Sequence, residues 1–103
     1  MYVTWLVPTL DNFPRSQKFL LGDRLQTLAL DVIESLIDAT YTKAPHATLK
    51  RVNLLLEKQR VLVRVAYNLR YLDVRRYEFA GRKLDEIGQS VGGWLKTLAP
   101  GPS

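Results

Sequence analysis

Apolar residues return every three or four positions along most of this chain. Within residues 15–41, Leu21, Leu25, Leu28, Val32, Leu36 and Ala39 share one side of a helical wheel. Phe19, Leu30, Ile33 and Ile37 widen that side to roughly half the circumference. The opposite side holds Asp23, Thr27, Asp31, Glu34 and Asp38. The pattern predicts a long amphipathic helix, with Pro14 suited to its first turn.

Residues 46–72 read as a second long helix with two apolar sides. Val52, Leu55, Leu56, Gln59, Val63, Ala66 and Tyr67 make the first, which places Tyr67 in the core. Leu54, Val61, Val65 and Leu72 make the second, roughly opposite. A narrow polar strip remains, with Asn53, Glu57, Arg60, Arg64, Asn68 and Tyr71. A helix apolar on two sides is buried on two sides. In a chain of 103 residues, whose core is limited, the second side is expected to be a subunit contact.

Residues 73–98 give the third long helix. Asp73 is placed as its N-cap, and Tyr77, Ala80, Leu84, Ile87, Val91, Leu95 and Leu98 form its apolar face. Gly81, Gly88 and Gly92 follow one edge, although a helical glycine costs about 1 kcal/mol. Either another backbone approaches that edge closely or the helix is locally loosened. Residues 2–12, with Trp5, Leu6, Leu10 and an internal Pro8, predict a short or bent first helix.

Breaks fall at Phe13-Pro14, at Lys43-Ala44-Pro45 and, more softly, at residues 71–73. No stretch sustains the two-residue alternation of a strand. Short links favour antiparallel neighbours. The expectation is an all-α, up-down four-helix bundle with a short first helix. It occupies residues 1–99, followed by a flexible tail at 100–103, Pro-Gly-Pro-Ser.

Net charge is +5, and position matters more than total. Residues 46–72 hold six basic side chains against Glu57 alone, a local surplus equal to that of the whole chain. Arg60 and Arg64 lie one turn apart, and Arg75 and Arg76 follow past the helix end. An arginine fork can bond two phosphate oxygens. Tyr67, Tyr71 and Tyr77 are interleaved and could stack on unpaired bases. The competing reading pairs this basic strip with the acidic side of residues 15–41 in a neighbouring copy.

Little in the chain resembles catalytic machinery. There is no cysteine, hence no thiol nucleophile or zinc–thiolate site, and with His46 as the only histidine no metal set is recognisable; a Ser-His-Asp group would have to use His46 with a distant serine, which nothing supports. No glycine-rich phosphate loop occurs, and the adjacent Asp85 and Glu86 point in different directions on a helix. The chain is expected to bind rather than catalyse, without a cofactor. The apolar start stops at Asp11, too short to span a bilayer, and the lack of cysteine fits the cytoplasm.

Three stretches resemble a known family in order and spacing. They are Phe13-Pro14-Arg15-Ser16-Gln17-Lys18-Phe19 with Leu21-Gly22-Asp23-Arg24-Leu25; Leu54-Leu55-Leu56-Glu57-Lys58-Gln59-Arg60 with Arg64-Val65-Ala66-Tyr67; and Leu84-Asp85-Glu86-Ile87-Gly88 with Gly92-Gly93-Trp94-Leu95-Lys96. They look like the second, third and fourth helices of the four-helix-bundle proteins that include the accessory variability determinant (Avd) of diversity-generating retroelements. The resemblance implies a homopentameric barrel with a basic surface. It also implies two partners, the retroelement reverse transcriptase and RNA or DNA, in the mutagenic copying of a template repeat. Arg60 and Arg64 match basic positions of the third-helix motif, and Arg15 and Arg24 those of the second. The candidate nucleic-acid residues are therefore Arg15, Arg24, Arg60, Arg64, Arg75 and Arg76. The candidate oligomer contacts are Leu54, Val61, Val65 and Leu72. The resemblance also implies a longer first helix, so either the start at Met1 is internal or that helix is trimmed. The runner-up relatives are the ribosomal-RNA intervening-sequence proteins, which would make the chain a structural interaction module without nucleic-acid binding.

Overall fold

Each of the four apolar stretches forms an α-helix in a computed structural model of the chain, which describes residues 2–11, 13–15 and 18–98. Helix α1 spans Tyr2–Leu10, α2 Asp23–Tyr41, α3 Pro45–Asn68 and α4 Val74–Leu98. No strand occurs among the described residues. The expected tail at 100–103, Asn12 and the side chain of Phe19 lie outside them.

A single π-helical turn, Lys18–Gly22, leads into α2. Gly22 keeps helical angles (φ −63°, ψ −47°), so the turn joins α2 without a break. The buried residues of α2 are Leu25, Leu28, Ala29, Val32, Ser35 and Ala39, the expected periodic face. Its expected width is not realised, because Leu30 and Ile37 stand exposed. Thr42 adopts extended angles and ends the helix, and its N–H still donates to Asp38 O at 2.9 Å. Pro45 then starts α3, where its missing N–H is not needed.

Helix α3 buries Leu49, Val52, Leu55, Leu56, Gln59, Val63 and Ala66. It stops four residues before the expected Leu72. The N–H of Arg70 donates to Tyr67 O and that of Tyr71 to Ala66 O, both at 2.9 Å. Arg70 has φ 65°. These are the bonds and the left-handed residue of a Schellman stop. Glycine usually fills that position, and here an arginine does, so the sequence carried no stop signal.

Asp73 caps α4 as expected. Its Oδ1 accepts from the Arg76 N–H at 2.8 Å and its Oδ2 from Arg76 Nη1 at 2.7 Å. Ala80, Leu84 and Val91 are buried, and Tyr77, Ile87, Trp94, Leu95 and Leu98 pack against the core.

Ring and side-chain contacts set the helix directions. Tyr67 stacks on Tyr77 with centroids 4.4 Å apart, Arg60 meets Asp85, and Leu56 lies beside Gly88. Helices α3 and α4 therefore run antiparallel. Trp5 meets Phe79 at 4.9 Å and Phe13 meets Tyr71 at 5.4 Å, while Tyr2 shares a cavity with Leu84 and Ile87. Helix α1 thus runs antiparallel to α4, packing on α4 and α2. One core joins all four helices, centred on the fully buried Leu25, Leu49, Leu56 and Leu84. Each such leucine contributes on the order of 2 kcal/mol.

Two buried polar atoms find no hydrogen-bond partner among the described residues, Tyr2 Oη and Gln59 Oε1. Both residues line the same mostly apolar cavity of about 290 Å³. Burial pushes the Tyr2 phenol well above its ordinary pKa of 10.0. The unfolded phenol ionises near pH 10 while the folded one resists, so stability held below that pH is lost as pH rises past it.

Two substitutions test these assignments. Tyr2→Phe removes an unpartnered hydroxyl and should raise unfolding free energy by about 1 kcal/mol. It should also lose less stability than the wild type between pH 9 and 11 in urea titrations. Arg70→Gly relieves the left-handed strain, partly offset by glycine's larger unfolded-state entropy, and should raise the urea midpoint by an equivalent of roughly 0.5–1 kcal/mol at unchanged slope.

Candidate nucleic-acid interface

Arginines crowd around the first half of α4. A groove of about 570 Å³ between α3 and α4 is lined by Arg60, Arg64, Tyr77, Gly81 and Arg82, with the carboxylates of Glu78 and Asp85. A second concavity, of about 500 Å³, opens on the other side of the α4 start. Trp5, Asp73, Arg75, Arg76 and Phe79 line it, and it shares Glu78 and Arg82 with the first. Arg82 therefore faces both depressions. Its guanidinium also lies 6.0 Å from the Phe79 ring, and Lys83 Nζ lies 5.4 Å from the same ring.

The arginines differ in how far they are committed to the fold. Arg60 donates from Nε to Asp85 at 3.2 Å, from Nη1 to Glu57 at 3.2 Å and from Nη2 to Leu84 O at 3.4 Å. Its side chain is 32% exposed. It is a tie between α3 and α4 rather than an open phosphate fork. Arg76 is held by Asp73. Among the described residues, Arg64, Arg75 and Arg82 make no ion pair. All three are exposed.

The tie also accounts for one glycine. A Cβ on Gly88 would stand 2.9 Å from Arg60 Nη2. The expected close neighbour at that edge is thus a guanidinium and not a backbone. A Cβ at Gly81 or Gly92 would meet nothing within 4 Å among the described residues, so no close approach there explains them.

Not all of the six predicted arginines come together. Arg64, Arg75 and Arg76 lie around the first turns of α4, and Arg60 lies further along it, at Leu84 and Asp85. Arg24 lies away from them in the α2/α3 groove, beside Leu28, Lys58 and Val61. Arg15 is exposed on the connection before α2. The three tyrosines expected between the arginines are already packed by rings of the same chain, Tyr67 on Tyr77 and Tyr71 on Phe13. Each is only partly buried, Tyr67 included, though it was placed in the core.

Arg82 was missed from sequence. It follows Arg75 by seven residues, two turns along one helix face, and that spacing was the available signal. Charge summed over whole segments hid it, because residues 73–103 carry four carboxylates against five bases.

The predicted contact stripe needs one correction. Leu54 is 55% exposed, and Val61 and Val65 are exposed as well. Leu72 is only 5% exposed and belongs to the core. The stop at Arg70 takes it off the α3 axis and turns it inward, and exposed Leu69 follows Val65 by one turn instead.

Asp85 and Glu86 serve different partners, Arg60 and Lys83. His46 is exposed at the α3 start. Among the described residues no three His, Asp or Glu side chains gather as a metal set, and no helix is long and apolar enough to cross a membrane.

The two classes of arginine should separate in thermal melts. Arg60→Ala should cost about 1 kcal/mol through the lost interhelix bonds, whereas Arg64→Ala should change stability by less than about 0.5 kcal/mol.

Comparison with known proteins returns one informative result. A family model described as bAvd-like matches residues 1–98. No curated protein and no solved structure matches the chain. The match covers every described helix, including α1, and extends across the three stretches whose order and spacing first suggested the resemblance. The chain belongs to the bAvd-like family.

Proposed function

We propose that this chain is the accessory protein of a diversity-generating retroelement, acting by binding and not by catalysis. Its partners are the element's reverse transcriptase and the template RNA or its DNA copy. The family match over residues 1–98 carries this reading. The structural support is the set of exposed arginines that make no ion pair among the described residues, Arg64, Arg75 and Arg82, around the first half of α4. Three uncommitted guanidinia on one helix pair suit a phosphate backbone, to which arginine can donate two bonds at a time.

The chain is read as an up-down bundle that assembles as a homopentamer in the cytoplasm. The exposed Leu54, Val61 and Val65 support assembly. A ring would repeat the arginine set on every subunit and raise avidity for a long polyanion. One observation favours the alternative, a structural module without nucleic acid. Arg60 and Arg76, two of the predicted contacts, are already paired within the chain.

Co-purification with the neighbouring reverse transcriptase, with and without template RNA, tests the partner. Salt titration tests the ligand. Binding to single-stranded RNA should weaken steeply with salt. The Arg64→Ala/Arg75→Ala/Arg82→Ala variant should flatten the log–log slope by about 2 for three lost phosphate contacts. An unchanged slope, or no binding by the wild type at low salt, overturns the nucleic-acid reading.

A further inference from the structure

Helices α3 and α4 face each other as a ladder of side chains, and one rung is missing. Arg60 on α3 meets Asp85 on α4, and Tyr67 meets Tyr77 with ring centroids 4.4 Å apart. Tyr77, Gly81 and Asp85 follow at four-residue spacing along one side of α4. Arg64, between Arg60 and Tyr67, therefore comes opposite Gly81. Both line the groove of about 570 Å³ between the two helices. One neighbouring rung is an ion pair and the other a ring stack. Between them an exposed guanidinium, which makes no ion pair among the described residues, faces bare backbone.

The fold does not require this gap. Glycine is a poor helix former, and a Cβ at Gly81 would meet nothing within 4 Å among the described residues. Gly88, further along the same edge, differs, because Arg60 Nη2 would lie 2.9 Å from a Cβ there. Gly92 and Gly93 are as open as Gly81 but line neither arginine depression. Arg82, next in sequence to Gly81, lines the groove as well and is exposed. A stretch of α4 without a side chain is thus flanked by two uncommitted guanidinia.

We propose that Gly81 is the seat of an unpaired nucleotide, whose phosphate fills the missing rung between Arg64 and Arg82. This rests on the nucleic-acid reading above and adds which form of nucleic acid the groove takes and where. An acceptor is what Arg64 lacks, and a guanidinium can give a phosphate two bonds at once. Glu78 also lines the groove. Its carboxylate repels phosphate but accepts from the amino groups of a base edge, which an unpaired base leaves free. Packed helices lie about 8–10 Å apart, so one strand reaches the floor between them and a duplex touches only the rim. Arg82 also faces the second concavity, where Arg75 stands ready for a further phosphate of the same strand.

Gly81→Leu tests the seat, and Gly92→Ala is its control. Leucine favours a helix far more than glycine does, so Gly81→Leu should melt at or above the wild-type temperature. Its affinity for a labelled single-stranded RNA, read by anisotropy at low salt, should fall about tenfold, the loss of one charge-assisted bond. Gly92→Ala should also melt higher and should bind as the wild type does. Adding Arg64→Ala to Gly81→Leu should weaken binding little further, because both remove the same contact. A blunt duplex of the same sequence should bind the wild type more weakly and lose nothing in Gly81→Leu. Gly81→Ala should move in the same direction by a smaller step, and it carries the test if leucine disturbs the helix. Undiminished single-strand binding by both Gly81 variants overturns the proposal, and so does an equal loss for the duplex. Lower melting of both variants assigns Gly81 to the fold and overturns it too. A wild-type protein that binds no single strand at low salt removes the nucleic-acid reading itself, and this inference with it.

Discussion

Seven residues of α3, from Leu49 to Ala66, turn into the interior, and α3 packs against both α2 and α4. A chain this short has apolar surface for one core only, so the long helices must share it. Helix α3 occupies the shared position. Leu49, Val52, Leu56 and Ala66 are completely removed from solvent, which leaves α3 no freedom to rotate without exposing leucine on one side and burying lysine or arginine on the other. That fixed rotation decides which of its charges face α4, which face α2 and which face away.

Arg60 shows what the fixed rotation does to a charged side chain. It is placed where its guanidinium reaches across to Asp85 and to the Leu84 carbonyl, in the space left by the absent side chain of Gly88. An arginine satisfied by two carboxylates and a carbonyl has little left to offer a phosphate. Arg64, one turn later, faces the same groove and makes no ion pair among the described residues. The two look equivalent as letters spaced by four. They differ because the facing turn of α4 presents Asp85 to one and no paired carboxylate to the other.

The helices themselves were legible because their signal is periodic and redundant. Loss of any one leucine from the α2 face would not have hidden the others. Asp73 was legible because an N-cap is local chemistry, readable from a few residues. The end of α3 was not, since a left-handed stop usually shows itself by a glycine and this one is Arg70. That one missing letter moved Leu72 from core to surface in the sequence reading. The width of the α2 face was overread for another reason. Leu30 and Ile37 are apolar at helical spacing, yet periodicity records that a residue is apolar and not whether a neighbour reaches it. Arg82 escaped because opposite charges on one helix cancel in a sum while still occupying different faces.

The net charge of +5 therefore understates the polarity of the molecule. Helix α3 carries five basic residues against one acidic, and α2 one against four. On α3 the charges are divided by face: Arg60 is tied to Asp85 and Glu57, Arg64 faces the α3/α4 groove, and Lys58 lines the α2/α3 groove with Arg24. A basic helix packed on two neighbours must divide its charges in this way, and the burial of Leu49, Val52, Leu56 and Ala66 holds that division in place.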